Sequence, residues 1–113
     1  MALQWSVVEA ALDLTTGAEQ KGTRPVLIVS NEEFNHAMLN VTVLPLTSTQ
    51  RRVYPSEVFL PKGAAGQSRD SIVMAHQVRT ISKQRLKNVI GHLDDENLRR
   101  QVRDAMREHF DLE

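Results

Sequence analysis

The chain has 113 residues, enough for one domain with a hydrophobic core and too few for a second. Lysine plus arginine and aspartate plus glutamate number 14 each, so no overall positive charge marks the protein as a nucleic-acid binder. Cysteine is absent, which excludes disulfides, thiolate zinc sites and thiol nucleophiles. We find no signal peptide and no apolar run of membrane length, so we expect a cytoplasmic protein without membrane contact.

The first predicted elements are short and mostly extended. Residues 6–12 are small and apolar, a pattern that predicts either a first strand or a helical turn. The apolar block 26–29 lacks polar alternation, which predicts a strand over 24–30 that is covered on both faces. Residues 31–40 predict a short helix, and residues 40–48 predict the next strand.

The second half of the chain predicts two further strands, near 53–60 and 71–76, and a terminal helix. Between these strands, residues 61–68 have turn chemistry and predict a mobile loop. Asp94 is the expected N-cap of the helix, and an apolar stripe follows at helical spacing, formed by Leu98, Val102, Ala105, Met106 and Phe110. The predicted fold is therefore a single, mainly β domain over residues 1–113, a small barrel or curled sheet with a C-terminal helix.

A glycine-bounded polar loop, residues 17–25, ends in the sequence Arg24-Pro25. Proline biases the preceding residue toward an extended backbone, so Arg24 should stand at the rim of the predicted strand. A guanidinium is a planar fork suited to phosphate or carboxylate, which makes a phosphate-bearing ligand the first functional hypothesis. The alternative is that Arg24 only pairs with Glu19 in its own loop.

A cluster of hydroxyl groups, Thr47-Ser48-Thr49, follows the predicted strand 40–48. Such residues often form plain turns, but they can also donate hydrogen bonds to a substrate oxygen. Consecutive strands usually neighbour each other in a sheet. Arg24 and Thr47 can therefore share a site, provided that their strands end on the same side of the sheet.

These segments resemble the MazF/PemK (Kid-like) toxin family of type II toxin–antitoxin systems. The resemblance covers roughly residues 13–110, and it is carried by Gly17-x-Glu-Gln-x-Gly-Thr-Arg-Pro25, by Val43-Leu-Pro-Leu-Thr-Ser48 and by Gln77-Val-Arg-Thr-Ile81. It implies a homodimeric, barrel-like toxin of the SH3-like or CcdB type, neutralised by a cognate antitoxin similar to MazE or PemI. It also implies a cofactor-free, metal-independent endoribonuclease that cuts single-stranded mRNA at preferred sequences, leaving a 2′,3′-cyclic phosphate and a 5′-hydroxyl, and so inhibits translation and growth.

Carried over position by position, the resemblance assigns catalysis to Arg24 and Thr47 and the shaping of the site to Glu19 and Gln20. The sequence departs from the family at Trp5-Ser6, and at His76, where some relatives have an acidic residue. Because the pKa of histidine normally lies near neutrality, His76 is our hypothesis for the proton carrier, and the alternative is that it is a structural histidine. Glu19 is the fallback base, unless it only orients Arg24. The remaining histidines show no ligand spacing, and no metal site is predicted.

The RNA-binding residues are expected in the loops beside the strand ends, because single strands are held by cationic grooves and stacked aromatic rings. The expected substrate-binding residues are Gln20, Ser48, Thr49, Arg51, Arg52, Arg69 and Gln77. Tyr54 is the candidate for base stacking, whereas Trp5, Phe59 and Phe110 are expected in the core. The alternative for each charged residue is that it is simply solvated.

Two other functions remain compatible with the sequence. A gyrase-poisoning toxin of the CcdB kind would depend on the extreme C-terminus, residues 109–113, and would not need Arg24 or Thr47. A catalytically silent relative that only binds RNA or the antitoxin is the third possibility, made plausible by the departures at Trp5-Ser6 and His76.

Overall fold

The computed structural model describes residues 2–12 and 22–113. In this part of the chain, seven strands and two α-helices follow one another with short connections. The strands are β1 (Ser6–Leu12), β2 (Gly22–Ile28), β3 (Asn40–Thr47), β4 (Glu57–Leu60), β5 (Ser71–Met74), β6 (Arg79–Ser82) and β7 (Leu86–His92). The helices are α1 (Glu32–Ala37) and α2 (Glu96–Phe110), and two short 3-10 turns span Ala75–Gln77 and Lys83–Arg85.

All strand pairs are antiparallel, in the order β4-β5-β3-β2-β1-β7, and β6 pairs with β3. Strand β3 is the organising element, because it pairs with three strands. Its first residues, 40–43, pair with β6, its middle residues, 43–45, pair with β2, and its last residues, 46–47, pair with β5. The mainly β fold with a C-terminal helix is confirmed.

The apolar block in β2 is buried on both faces, as its lack of polar alternation predicts. Val26, Leu27 and Ile28 are all fully buried. Leu27 belongs to a core cluster that includes Val102 and Ala105 of α2, whereas its two neighbours belong to a second cluster on the other face of the strand. This double-sided packing anchors the part of β2 that follows Arg24, whereas Arg24 itself is exposed.

Helix α2 begins one residue later than predicted. Asp95, not Asp94, is the N-cap, and its side chain accepts a hydrogen bond from the Leu98 N–H at 3.0 Å. The stripe packs as expected at Val102 and Ala105, which are buried. The core assignment of Phe110 is wrong, because the ring lies in the last turn and is 51% exposed.

Phe59 was also expected in the core, and this prediction is wrong as well. Val58 and Leu60 of β4 point into the core, so the side chain between them points to the opposite face, where Phe59 is 42% exposed. Trp5 is buried as expected, and the guanidinium groups of Arg99 and Arg103 lie over its ring.

Residues 61–68, predicted as a mobile loop, instead form a packed turn. The Gln67 side chain is buried and donates hydrogen bonds to the Leu60 and Pro61 carbonyls. Gly66 and Gly91 lie against each other's backbone, so closely that a Cβ built on Gly91 would lie 2.2 Å from the Ala65 carbonyl oxygen. The turn is therefore docked on β7, a strand that the sequence analysis did not predict.

None of the helices in the described ranges is both long and apolar enough to cross a membrane.

Candidate active site

The pairing of β2 with β3 settles whether their ends share a side. The register is antiparallel, with Val26 opposite Pro45 and Leu27 opposite Leu44. The paired residues end at Val26 and Pro45, and Arg24 and Thr47 each lie two residues beyond this last pair. Because the strands run in opposite directions, the start of β2 and the end of β3 lie at the same end of the sheet. The structure therefore meets the condition that the sequence could not test.

A cleft of about 380 Å³ opens beside the end of β3, and we call it the His76 cleft. It is lined by Thr47, Thr49, Arg51, Tyr54, Glu57, Met74, His76 and Gln77. Five of these side chains were proposed from the sequence as catalytic or substrate-binding, and they come from two separate segments of the chain, residues 47–51 and 76–77. The fold thus gathers much of the predicted site into one concavity.

A second cleft, of about 420 Å³, is lined by the residue that follows Thr47, and we call it the Ser48 cleft. Its lining includes Pro25, Ser48 and Arg69, together with Glu9, Gly66, Gln67, Ser68, Ser71 and Ile90. Thr47 and Ser48 are consecutive residues that line different clefts, so the end of β3 borders both. The packed turn 61–68 and its contact with β7 form much of the wall of the Ser48 cleft.

The principal feature that the sequence analysis missed is Glu57, the first residue of β4. Its side chain is only 1% exposed, and Arg51 donates to it from Nη1 and Nη2, at 2.8 Å to Oε1 and 2.6 Å to Oε2. His76 Nε2 lies 2.8 Å from Oε2, and the Tyr54 backbone N–H donates to Oε1 at 3.0 Å. One buried carboxylate therefore connects three other residues that line the His76 cleft.

This network sets the charge of Glu57. The pKa of the carboxyl group is lowered to about 2, chiefly by the bidentate hydrogen bond from Arg51 and in addition by the contacts from His76 and the Tyr54 N–H, against the opposing effect of burial. Glu57 is therefore ionised at neutral pH. In turn, the Glu57 carboxylate raises the pKa of Arg51 above its ordinary value.

The arginines predicted to bind RNA differ in their surroundings. The fork of Arg51 is committed to Glu57, whereas Arg52 is exposed and places its guanidinium carbon 5.4 Å from the centre of the Tyr54 ring. Tyr54 is itself 51% exposed and available to a ligand. Arg52 and Tyr54 therefore form a cationic and aromatic surface at the mouth of the His76 cleft.

Two predicted residues of the arginine loop, Glu19 and Gln20, lie outside the described residues. Their proposed roles stay predictions. Within residues 2–12 and 22–113, no group of three histidine, aspartate or glutamate side chains is arranged to hold a metal ion.

Sequence comparison finds relatives along almost the whole chain. The family model for PemK-like, MazF-like toxins of type II toxin–antitoxin systems matches residues 3–110. The chain is 40% identical to endoribonuclease EndoA of Bacillus subtilis over 88 residues, which cover 77% of this chain and 76% of that protein. It is 32% identical to endoribonuclease MazF9 of Mycobacterium tuberculosis over 117 aligned positions, covering 99% of this chain and 98% of that protein.

Comparison of the folds gives the same result. The solved structure of the Mycobacterium tuberculosis toxin MazF-mt6 superposes with a TM-score of 0.80 at 30% identity. The superposition covers 96% of this chain and 98% of that one. The similarity therefore extends over the strands that build both clefts.

Proposed function

This chain belongs to the family of PemK-like, MazF-like toxins of type II toxin–antitoxin systems, and we propose that it is an endoribonuclease that cuts single-stranded RNA at the end of β3. Its relatives EndoA and MazF9 are endoribonucleases. The observation that carries the assignment of the site is the β2–β3 register, which brings Arg24 to the same end of the sheet as Thr47. Thr47 and Ser48 at this end line one cleft each, and Pro25, the residue after Arg24, lines the Ser48 cleft, which supports an extended strand of RNA passing here.

The proposed reaction is a transesterification within the RNA. The 2′-oxygen attacks the adjacent phosphorus, the bond to the 5′-oxygen of the next nucleotide breaks, and a 2′,3′-cyclic phosphate forms. The 2′-hydroxyl proton passes to a base, and the leaving 5′-oxygen gains a proton to become a hydroxyl. Arg24 binds the non-bridging oxygens and stabilises their developing charge, since a guanidinium does not lose its proton in proteins.

Thr47 aligns the phosphate, because a residue at the end of a paired strand is held in a well-defined position. It is half-buried, and its backbone pairs with Ile72 of β5. His76 lines the same cleft and is our proposed proton carrier. Glu19 is the alternative base, and a rate measurement on His76→Gln distinguishes the two.

The nucleotides on either side of the cut are proposed to occupy the two clefts. Ser48 and Arg69 supply polar contacts in one, and Thr49 and Gln77 supply them in the other. Tyr54 is placed for base stacking, which holds single strands without requiring a particular sequence. Preference for a short sequence would come from hydrogen bonds between these side chains and unstacked base edges.

In the cell, such cleavage of mRNA would stop translation and growth, and a cognate antitoxin would prevent it. We propose that the toxin acts in the cytoplasm, where mRNA is translated, and that it forms the homodimer implied by the family. A disordered acidic tail of the antitoxin would compete with RNA for the cationic surface around Arg52 and Arg69, at the cost of becoming ordered.

The test is incubation of the purified chain with a long unstructured RNA in chelator, followed by mapping of the ends. We expect discrete cuts with cyclic phosphate ends, and a loss of rate of roughly 100-fold or more in Arg24→Ala and in Thr47→Ala. Arg100→Ala is the matched control, because Arg100 is exposed on α2 and lines neither cleft. Intact RNA would refute the proposal.

The same preparation tests the rival functions. Phe110 and Leu112 are 51% and 63% exposed, so the C-terminal end is accessible to a protein such as gyrase. Arrest of DNA gyrase without loss of RNA would favour the gyrase poison. If the chain shows neither activity, the remaining function is that of a silent relative that binds only RNA or the antitoxin.

A further inference from the structure

Glu57 is the only carboxylate residue that is buried within residues 2–12 and 22–113. An ionised carboxylate has about four lone-pair sites for hydrogen bonds. All four are used here, two by Arg51, one by the Tyr54 N–H and one by His76 Nε2. Its donors lie on two segments of the chain, the loop that contains Arg51 and Tyr54 and the 3-10 turn that contains His76, so Glu57 is positioned to hold the cleft together.

The location of this charge is not explained by core packing. Its neighbours in β4, Val58 and Leu60, are buried in the apolar core. Burying an ion pair is often no more stabilising than burying apolar side chains of the same size. A buried glutamate whose partners all line one cleft is therefore better explained by what it does for that cleft.

The hydrogen bond to His76 determines which ring nitrogen carries the proton. Glu57 is ionised, because its pKa is held far below neutrality, so the carboxylate can only accept. His76 Nε2 must therefore be the donor in the 2.8 Å contact. In the neutral ring the lone pair is then on Nδ1, the only nitrogen left to meet a substrate.

We propose that Glu57 is a positioning residue of the active site, which holds His76 with its proton on Nε2 and thereby presents Nδ1 as the base for the 2′-hydroxyl. This inference rests on the proposed ribonuclease function. The proton taken from the 2′-oxygen goes to Nδ1, and the resulting imidazolium remains hydrogen-bonded to Glu57. Arg51, on the same carboxylate, and Tyr54 are the other charged and titratable residues that line the cleft.

Nuclear magnetic resonance tests the positioning without any RNA. The chain is labelled with 15N-histidine, and its ring nitrogens are observed at a pH where the ring is neutral. The His76 signals are identified by their loss in His76→Gln. We expect the Nε2–H form in the wild type, and a mixture of both forms in Glu57→Gln, because an amide can donate to Nε2 as well as accept from it.

A wild-type ring protonated on Nδ1 would overturn the proposal, and this measurement does not depend on whether Glu57→Gln folds. A ring form that stays unchanged in folded Glu57→Gln would also overturn it. Glu108→Gln is the matched control, since this exposed carboxylate on α2 lines neither cleft. It should leave the His76 signals unaltered.

A double-mutant cycle tests the catalytic consequence. Removing a general base typically costs roughly 100-fold or more in rate. We expect His76→Gln to lower kcat roughly 100-fold or more and Glu57→Gln to lower it about 10- to 100-fold, each with little change in KM, and the double variant to be no slower than His76→Gln. If the two losses in kcat instead multiply in the double variant, Glu57 does not act through His76.

The two proposals can fail separately. If the wild-type chain cuts no RNA, the ribonuclease function fails, and the ring-proton measurement still decides whether Glu57 holds His76. If the chain cuts RNA and His76→Gln is as fast as the wild type, the function stands and the role of Glu57 as a catalytic positioning residue is refuted.

Discussion

Replacing Glu57 by glutamine should make the unfolding free energy of this protein less sensitive to acid. The folded state lowers the pKa of the carboxyl group from its ordinary value of 4.5 to about 2, chiefly through Arg51. A lowered pKa means that the ionised group favours the folded state. The stabilisation is therefore fully present above about pH 4.5 and is lost as the pH falls toward 2.

The size of the effect follows from the displacement of the pKa. At about 1.4 kcal/mol per pKa unit, a displacement of about 2.5 units corresponds to roughly 3 kcal/mol of unfolding free energy. The Glu57 side chain is 1% exposed, so solvent screening is small. Integrating the titration from neutral pH down to pH 3 gives a loss of about 2 kcal/mol.

Urea denaturation at several pH values between 7 and 3 measures this loss. Glu32 also has a pKa of about 2, but it titrates in both proteins. The difference between the wild type and Glu57→Gln therefore isolates Glu57. We expect the wild-type advantage to shrink by about 2 kcal/mol by pH 3. If the unfolding free energies of the wild type and Glu57→Gln run parallel against pH, the reasoning is refuted. Glu108→Gln, which removes an exposed carboxylate, is the control and should run parallel to the wild type.

Three further predictions concern the fold and the RNA surface. Gly91→Ala should destabilise by about 3 kcal/mol in urea denaturation, because the new Cβ would meet the Ala65 carbonyl, and an unchanged midpoint would contradict the docked turn. Asp95→Ala should cost about 1 kcal/mol by the same measurement, and Asp94→Ala should cost less because Asp94 is not the cap. Arg52→Ala should reduce the slope of RNA affinity against salt by about one, and an unchanged slope would exclude a phosphate contact.

The elements that can be predicted from the sequence are those whose pattern reflects their own burial. The uniformly apolar block 26–28 predicted a strand buried on both faces, and the stripe containing Val102 and Ala105 predicted a helix packed on the sheet. Strand β7 was missed because residues 87–89 are exposed and show no alternation. Its extended form depends on pairing with β1, which no local pattern reveals.

The candidate site also contains residues that the sequence could identify and one that it could not. Arg24 and Thr47 could be named from their loops, but only the register of β2 and β3 shows that they lie at the same end of the sheet. Glu57 could not be identified, because a glutamate at the start of a short strand is normally exposed. In the fold it is buried, with Arg51 from the preceding loop and His76 from the 3-10 turn both bound to its carboxylate.

The two halves of the candidate site are held in place by different interactions, backbone pairing in one and a charged contact in the other. Arg24 and Thr47 are placed by backbone pairing, which tolerates changes of side chain. His76 is placed by a charge, since its Nε2 lies 2.8 Å from an ionised carboxylate. An acidic residue at position 76 would face the Glu57 carboxylate and be repelled by it. A histidine that donates to Glu57 is compatible with that buried charge, so residues 57 and 76 are best understood as a pair.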